Sequence, residues 1–216
     1  MRIFTIVLML MMSTAVMAQD CFLGNTQNVV SFEAGWLGGG VAYAQLVDPF
    51  TTCTCDHGFE VDEVRISLVL DAGATVRLIA QLLKVNDVAG CDVPSQVLAT
   101  SSELLVDGIT AQGLYEIAIP CNFECALMAD SYFLSVTIQE ASGSVELPFT
   151  GGTTGVPEKQ VPGDPCTSYR NPGTGWEDLI VAGFGGGLPI RAAITCCFDP
   201  ISDGIDTWGR VKRIYY

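Results

Sequence analysis

Several segments of this sequence alternate apolar and polar residues with a period of two, and no other feature constrains the fold as much. Successive side chains of a β-strand point to opposite faces, so this pattern predicts strands with one buried face. The residues predicted to be buried are Val64, Ile66, Leu68 and Leu70; Val76, Leu78, Ala80 and Leu82; Tyr115, Ile117 and Ile119; Tyr132, Leu134, Val136 and Ile138; and Ile190, Ala192 and Ile194. The sequence therefore predicts an all-β protein.

Turn-forming residues separate these strands, as in LDAGA, VNDVAG, VDGITAQG and EASGS. Many short strands joined by such turns are typical of an antiparallel β-sandwich or a jelly roll. Two stretches lack the alternation, AGWLGGG (34–40) and a Pro/Gly-rich excursion (150–179). A loop of the second length is usually functional or poorly ordered. We expect a jelly-roll-like antiparallel β-sandwich over residues 19–198, with a long loop at 150–180.

The first 18 residues have the layout of a secretory signal peptide. Arg2 precedes an apolar run from Ile3 to Met12, and the small residues Val16 and Ala18 suit a cleavage site. The run is shorter than the roughly 20 residues that span a bilayer, although an uncleaved anchor is the alternative. We expect an extracellular or cell-surface protein whose mature chain starts near Gln19 and spans no membrane.

The chain is strongly acidic, with a formal net charge of −14. The body is more acidic still, because Arg210, Lys212 and Arg213 lie among the last seven positions. Such a surface repels nucleic acid and anionic lipid, so we expect no nucleic-acid partner.

Two acidic clusters raise the question of calcium, which takes several oxygen ligands. We expect both clusters to lie at turns; they comprise Asp56, Glu60, Asp62 and Glu63, and then Asp199, Asp203 and Asp206. Solvated acidic turns are the alternative. A structural calcium ion would be the only cofactor, and no other metal site is predicted.

Nine cysteines follow the predicted signal peptide: Cys21, Cys53, Cys55, Cys91, Cys121, Cys125, Cys166, Cys196 and Cys197. In a secreted chain disulfides are the default interpretation. An odd number leaves at least one thiol unpaired or bridged to another molecule. We expect Cys121 and Cys125 to flank a loop, Cys196 and Cys197 to have different partners, and Cys166 to staple the long loop.

Catalysis is not predicted, because a Ser-His-Asp or Cys-His system would have to use the single histidine, His57, and no nucleophile motif accompanies it. In an extended CTCDH segment, Cys53, Cys55 and His57 would share one face, and zinc or copper binding is the alternative to disulfides. In an oxidising compartment, disulfides are the favoured interpretation.

Exposed aromatic rings would support glycan binding as an alternative function. Trp36, Tyr169 and Trp176 lie in the Gly-rich excursions, where they would be exposed as ligand-binding residues. Polar residues that would hold sugar hydroxyls are nearby, namely Asp164, Arg170, Asn171, Glu177 and Asp178. The competing interpretation is that the rings cover the ends of the sandwich.

Residues 41–195 resemble the secreted bacterial β-sandwich domains called choice-of-anchor domains. The resemblance is carried by AQLVDPFTT followed by VDEVRISLVL, by DVPSQVLATSSELL, and by GLYEIAIP and LMADSYFLSVTI, where Phe133 replaces the usual Trp. It implies a jelly-roll-like fold on an extracellular bacterial protein, without a catalytic constellation. Residues 207–216 also resemble the Thr-Trp-Gly-x-x-Lys-x-x-Tyr runs of secreted proteins from little-studied bacterial lineages, through Thr207, Trp208, Gly209, Lys212 and Tyr215.

Residues 207–216, which we call the tail, follow a flexible linker at 199–206. In one to two helical turns Trp208, Val211 and Tyr215 would share one side, with Arg210 and Arg213 beside them. The predicted docking residues are Trp208, Arg210, Val211, Lys212 and Tyr215. A segment this short orders only on a partner, and a frayed tail is the alternative. We therefore predict a non-catalytic surface, adhesion or assembly protein whose tail docks on a cell-surface or secretion component. Self-association through the unpaired cysteine or exposed strand edges is a further expectation.

Overall fold

The computed structural model describes residues 21–25, 29–33, 39–53, 55, 58–127, 131–150, 165–182 and 187–197. These ranges contain thirteen strands and one short helix: β1 Cys21–Gly24, β2 Val29–Glu33, β3 Val41–Val47, α1 Pro49–Cys53, β4 Gly58–Leu70, β5 Thr75–Val88, β6 Cys91–Thr100, β7 Leu104–Val106, β8 Gly113–Leu127, β9 Tyr132–Ser142, β10 Val145–Thr150, β11 Ser168–Asn171, β12 Glu177–Asp178 and β13 Ile190–Cys196. None of the described helices is long and apolar enough to cross a membrane.

The strands form two antiparallel sheets that pack face to face. The six-stranded sheet has the order β1-β13-β4-β10-β2, and β8 pairs with β4. The seven-stranded sheet has the order β12-β11-β3-β9-β5-β6, and β7 pairs with β5. Most connections between the described strands cross from one sheet to the other, including those from β3 to β4, β4 to β5, β8 to β9 and β9 to β10. The fold is therefore the all-β, jelly-roll-like sandwich that the alternation predicted.

The core between the sheets contains the residues that the period-two pattern marked as buried. The inward-facing residues of β4, β5 and β9 are at most a few per cent exposed. Tyr115 is the exception, because it is only partly buried at the edge of this core. The pattern works because a strand in a two-layer sandwich has one face against the opposite sheet and one against solvent.

A second apolar cluster lies on the outer face of the seven-stranded sheet. Its buried members are Ala44, Leu83, Phe133 and Tyr169, and Leu46, Val85, Val93 and Trp176 pack against them. The β5–β6 hairpin covers this face, since the pairing of β5 with β6 shifts register on both sides of Leu83 and such bulges bend a strand. The Cys91–Cys166 disulfide then ties the hairpin to the segment before β11.

All four disulfides lie at one end of the sandwich, which we call the disulfide end. They join Cys21 to Cys53, Cys55 to Cys196, Cys91 to Cys166 and Cys125 to Cys197. The strand pairing defines this end, because Cys196 lies opposite Phe59 at the start of β4, and the Phe59 ring contacts Tyr132 at the start of β9. The opposite end, which we call the turn end, carries the turns at 71–74 and 143–144, where the Asp71 amide donates to the Ser144 carbonyl.

The disulfide pairing decides the expectations about individual cysteines. Cys196 and Cys197 have different partners, and Cys166 does staple the excursion to the rest of the fold. Cys121 and Cys125 do not flank a loop, because both lie on β8. Cys121 is the free cysteine and is buried, and burial raises the pKa of its thiol to about 12. The fold therefore offers no accessible thiol for a bridge between copies.

The excursion at 150–180 is not one long loop. Residues 168–171 form β11, which pairs with β3, and residues 177–178 form β12, which pairs with β11. Short strands at a sheet edge escape sequence analysis because four residues or fewer cannot establish a period. Residues 151–164 lie outside the described part of the chain.

Candidate functional site

The three aromatic residues expected to bind a glycan do not form an exposed platform. Tyr169 is buried, with 3% of its surface exposed, and Trp176 is partly buried against the outer-face cluster. Trp36 lies outside the described residues. The structure thus corrects the expectation of an exposed ring for Tyr169, because the β5–β6 hairpin covers it.

Tyr169 holds the hairpin in place. Its ring packs edge-on against Phe133, with centroids 5.5 Å apart, and its hydroxyl donates to the Asp92 carbonyl at 2.7 Å. Burial raises the pKa of this phenol to about 12, and the carboxylates of Asp178 and Asp92 act in the same direction. These contacts give Tyr169 a structural role.

The polar residues around Tyr169 serve the local fold. Arg170 pairs with Glu177 at 2.9 Å, and the Asn171 side chain accepts hydrogen bonds from the amides of Gly173 and Gly175. Asp178 accepts hydrogen bonds from the amides of Cys166 and Ile180. Asp164 lies outside the described residues.

The candidate metal ligands are also placed differently from the expectation. Glu60, Asp62 and Glu63 lie on β4 and not at a turn; Asp62 accepts a hydrogen bond from Thr195, and Glu63 pairs with Arg65. Asp56, Asp199, Asp203 and Asp206 are outside the described residues.

The thiols of the zinc or copper alternative are oxidised, as the favoured disulfide interpretation predicted. Cys53 and Cys55 are in disulfides, so the zinc or copper alternative loses its two thiolates, and His57 is outside the described residues. Cys91, Cys166 and Asp178 come close together, but the two sulfur atoms form a disulfide and the carboxylate already accepts backbone hydrogen bonds. Neither group leaves a thiolate to hold a metal ion.

An open cleft at the turn end is the candidate site that the described residues form. It encloses about 540 Å³, and it is lined by Gly39, Thr75, Arg77, Leu105, Asp107, Gln139, Glu140, Ala141 and Ser142. These residues come from the start of β5, from β7 and the residue after it, from the end of β9 and from the turn before β3. We call this site the turn-end cleft.

A β-bulge shapes the floor of the cleft. Arg77 pairs with Glu140 and Leu78 pairs with Ile138, so Gln139 is an extra residue on β9. A bulge redirects the local side chains and is common beside functional sites. Gly39 packs on this bulge so closely that a Cβ at residue 39 would lie 2.7 Å from the Gln139 carbonyl oxygen. Only glycine permits this contact without a shift of the backbone.

Arg77 is held in the cleft by two carboxylates. Its guanidinium contacts Glu103 at 2.5 Å and Glu140 at 3.1 Å. The hydrogen bond to Glu103, followed by the charges of Glu103 and Glu140, raises the pKa of Arg77. These ion pairs are largely exposed and add little stability, but they fix the direction of the guanidinium. The remaining Asp107 makes no ion pair within the described part of the chain.

Hydroxyl groups and an apolar side chain complete the cleft. The Thr75 and Ser142 hydroxyls lie 2.7 Å apart across the β5–β9 pair and hydrogen-bond to each other. Leu105 on β7 is 47% exposed and gives the cleft an apolar surface. The cleft therefore combines donors, acceptors and an apolar contact.

Sequence analysis did not identify this cleft. Its polar residues are the outward-facing members of alternating strands, which usually do no more than face solvent. Their convergence depends on which strands pair and on the bulge at Gln139, and neither leaves a local sequence pattern. The exposed leucine in SSELLVDG was the one available signal, and a single apolar residue between turns is too common to be specific.

The fold and the disulfide pattern define a disulfide-bonded, jelly-roll-like β-sandwich. The chain belongs to the family described as a domain of unknown function (DUF7451), whose family model matches residues 19–194. None of the curated proteins matches the chain. Among solved structures, the chain is similar to the crystal structure of the cysteine protease and lectin-like domains of Cwp84, a surface layer associated protein of Clostridium difficile, with a TM-score of 0.46 and 16% identity over 78% of this chain and 36% of that chain. The chain thus spans about a third of that structure.

Proposed function

We propose that this protein is an extracellular, non-catalytic surface or assembly module that is attached or sorted through its tail. Four disulfides support the extracellular part of this proposal, because such bonds persist in oxidising compartments and are rare in the cytosol. The acidic body disfavours nucleic acid and anionic lipid as partners.

The observation that carries the proposal is the covalent reinforcement of the point where the chain continues toward the tail. Cys196 is bonded to Cys55, just before β4, and Cys197 is bonded to Cys125 on β8. A pulling force on residues beyond 197 would therefore act on these two disulfides before it could separate β13 from its neighbouring strands. Such an arrangement suits a domain that is held through this segment.

The composition of the tail fits a docking role. Trp208, Val211 and Tyr215 would form an apolar side in a short helix, while Arg210 and Lys212 add positive charge that the body lacks. A segment of this length orders on a partner and not alone in water. The partner would offer an apolar groove with acidic groups beside it, as expected of a cell-surface or secretion component.

Cell fractionation tests the tail. The full chain and a chain that ends at Asp206 are expressed in the native host, and the medium and envelope fractions are compared. We expect the full chain in the envelope fraction and most of the shorter chain in the medium. The purified truncated chain should have a melting temperature within about 1 °C of that of the full chain, because a docking tail that is not part of the fold adds little to the free energy of unfolding. A loss of 1 kcal/mol would lower the melting temperature by a few degrees in a domain of this size.

Two control variants separate the apolar and basic parts of the tail. Trp208→Ala with Tyr215→Ala keeps the length and the charge, whereas Arg210→Gln with Lys212→Gln keeps the aromatic residues. The first pair should release the protein and the second should release it partly. An envelope-bound chain ending at Asp206 would refute the role of the tail, and a large fall in melting temperature would show that the tail belongs to the fold.

The non-catalytic part of the proposal rests on the sequence, which has one histidine and no nucleophile motif. Purified mature protein should show no hydrolysis of a panel of glycosides and esters. Turnover that is lost on substitution of His57 or of a cleft carboxylate would overturn it.

A further inference from the structure

We propose that the turn-end cleft is a binding site for a neutral, hydroxyl-rich ligand, namely an uncharged saccharide. The lining and the charge of the cleft carry the inference without the tail, and only the outward position of the cleft rests on the proposed tail attachment. The cleft residues lie outside the 150–180 segment that was predicted as the alternative glycan-binding loop.

The position of the cleft is the first argument. The segment toward the tail follows Cys197 at the disulfide end, whereas the cleft lies among the first residues of β5 and the last residues of β9 at the turn end. A module held by its tail would therefore present the cleft outward.

The chemistry of the lining is the second argument. A saccharide offers adjacent hydroxyl groups that both donate and accept hydrogen bonds, and it has a C–H face that packs against apolar side chains. The cleft supplies paired hydroxyls at Thr75 and Ser142, an amide at Gln139, and the exposed side chain of Leu105. Carboxylates at Asp107 and Glu140 can accept from sugar hydroxyls, and charged acceptors make the stronger hydrogen bonds.

The charge of the cleft selects against anionic ligands. Arg77 is the only cationic residue among the described residues that line it, and Glu103 and Glu140 already neutralise that charge. Asp107 adds further negative charge. An acidic sugar or a phosphate would meet net repulsion, so the cleft favours an uncharged ligand.

The geometry of the cleft is preorganised. Glu103 and Glu140 fix Arg77 from two sides, and the bulge at Gln139 is held against Gly39, where a side chain would not fit. Groups that are already ordered lose little conformational entropy when a ligand binds. The volume of about 540 Å³ lies within the range of small-molecule sites and would accommodate one to two sugar rings.

Affinity electrophoresis tests this inference on the purified full chain. Native gels contain one polysaccharide each: neutral xylan, mannan, β-glucan, galactan or dextran, and anionic polygalacturonate. We expect at least one neutral polysaccharide to retard the protein and polygalacturonate to leave it unretarded. Retardation by polygalacturonate alone, or by none of the panel, would refute the inference.

Matched variants assign any binding to the cleft. Leu105→Ala and Glu140→Gln should each weaken binding about tenfold or more, and Thr75→Val should weaken it without loss of strand propensity. The controls lie on the six-stranded sheet: Leu114→Ala removes a leucine that is 53% exposed, and Glu116→Gln alters a carboxylate that pairs with Arg65 and Arg191. The controls should bind like the parent protein.

The same gels separate this inference from the tail hypothesis. The chain that ends at Asp206 should bind saccharide as the full chain does, whatever its location in the cell. Equal weakening by the cleft variants and by the control variants would contradict the assignment to the cleft. Melting curves of each variant show whether a loss of binding reflects a loss of fold.

Discussion

Tyr169 shows how one residue can have opposite roles according to its neighbours. In the sequence it stands between turn residues, where an aromatic ring is expected to face solvent. In the structure its ring covers Phe133 and its hydroxyl reaches the Asp92 carbonyl, because the β5–β6 hairpin folds over it. A ring that supports the fold is not available to stack on a ligand.

The raised pKa of Tyr169 predicts a specific dependence of stability on pH. The folded protein holds this phenol at a pKa of about 12, above the ordinary value of 10 that applies when the chain unfolds. Its contribution is therefore fully present below pH 10 and is lost as the pH rises toward 12. Tyr169→Phe should cost about 1 kcal/mol at pH 7 by loss of the hydrogen bond. Between pH 10 and 12 the variant should lose less stability than the parent, by roughly 1–2 kcal/mol.

Rapid denaturant unfolding at pH 7, 10 and 11 measures this difference. Tyr115→Phe is the control at pH 7, because its hydroxyl also donates to a carbonyl, that of Ala111 at 2.7 Å, but in an exposed place. Tyr115→Phe should lower the free energy of unfolding by less than Tyr169→Phe does. An alkaline loss as steep in Tyr169→Phe as in the parent protein would contradict the assigned pKa.

At the scale of elements, the β5–β6 hairpin bends away from the rest of its sheet. Its first half continues the seven-stranded sheet, and its tip covers the outer face of the same sheet. Two register shifts around Leu83 and the Cys91–Cys166 disulfide make this bend. The outer-face cluster is thus a small second core that depends on one covalent bond.

Removal of that bond should open the second core while the first remains. Cys91→Ser with Cys166→Ser should destabilise the protein by about 2–4 kcal/mol, the usual effect of a lost disulfide. The freed tip should expose Leu83, Phe133 and Tyr169, so binding of a hydrophobic dye and amide exchange near Tyr169 should both increase.

The paired control is Cys21→Ser with Cys53→Ser, which removes a disulfide far from the hairpin in the sequence. It should lower stability without added dye binding at the hairpin. Unchanged exchange near Tyr169 after loss of Cys91–Cys166 would show that packing alone holds the hairpin down.

At the scale of the whole molecule, the two ends of the sandwich are built differently. At the disulfide end, a short covalent path joins Cys21 to Cys197. Cys21 is bonded to Cys53, Cys55 is bonded to Cys196, and only Thr54 stands between Cys53 and Cys55. The turn end is held by hydrogen bonds and turns. Rigidity is thus concentrated where the chain leads to the tail, and the open cleft lies at the other end.

This covalent path predicts the response of the molecule to force. With handles placed before Cys21 and after Cys197, the oxidised protein should show no unfolding step longer than a few residues. Reduction should allow a step of roughly 600 Å, at about 3.4 Å per residue. Single-molecule pulling measures these lengths.

One bridge variant gives an intermediate length. Cys55→Ser with Cys196→Ser diverts the path from Cys53 along the chain to Cys91, across the disulfide to Cys166 and on to Cys197. The oxidised variant should therefore extend by roughly 230 Å. Cys125→Ser with Cys197→Ser should remain short, since the bridge at Cys55 and Cys196 persists. A long step in the oxidised parent protein would contradict the disulfide pairing.

Local patterns determined much of this protein before any tertiary contact was considered. Val64 to Leu70 and Val76 to Leu82 alternate as strands must, so their buried faces and the all-β class could be predicted. Those properties are local because they depend only on the period of a strand against one core. Cysteine content likewise indicated disulfides, without indicating which cysteines would pair.

Only the tertiary structure decided the features that join distant parts of the chain. The burial of Tyr169, the free thiol at Cys121 and the collection of four disulfides at one end depend on which strand ends become neighbours. The turn-end cleft depends in addition on a one-residue bulge at Gln139 and on its contact with Gly39. A period-two pattern reports which face of a strand is buried, but it carries no information about the strand beside it, and this is why the sequence predicted the sandwich and only the folded chain revealed its site.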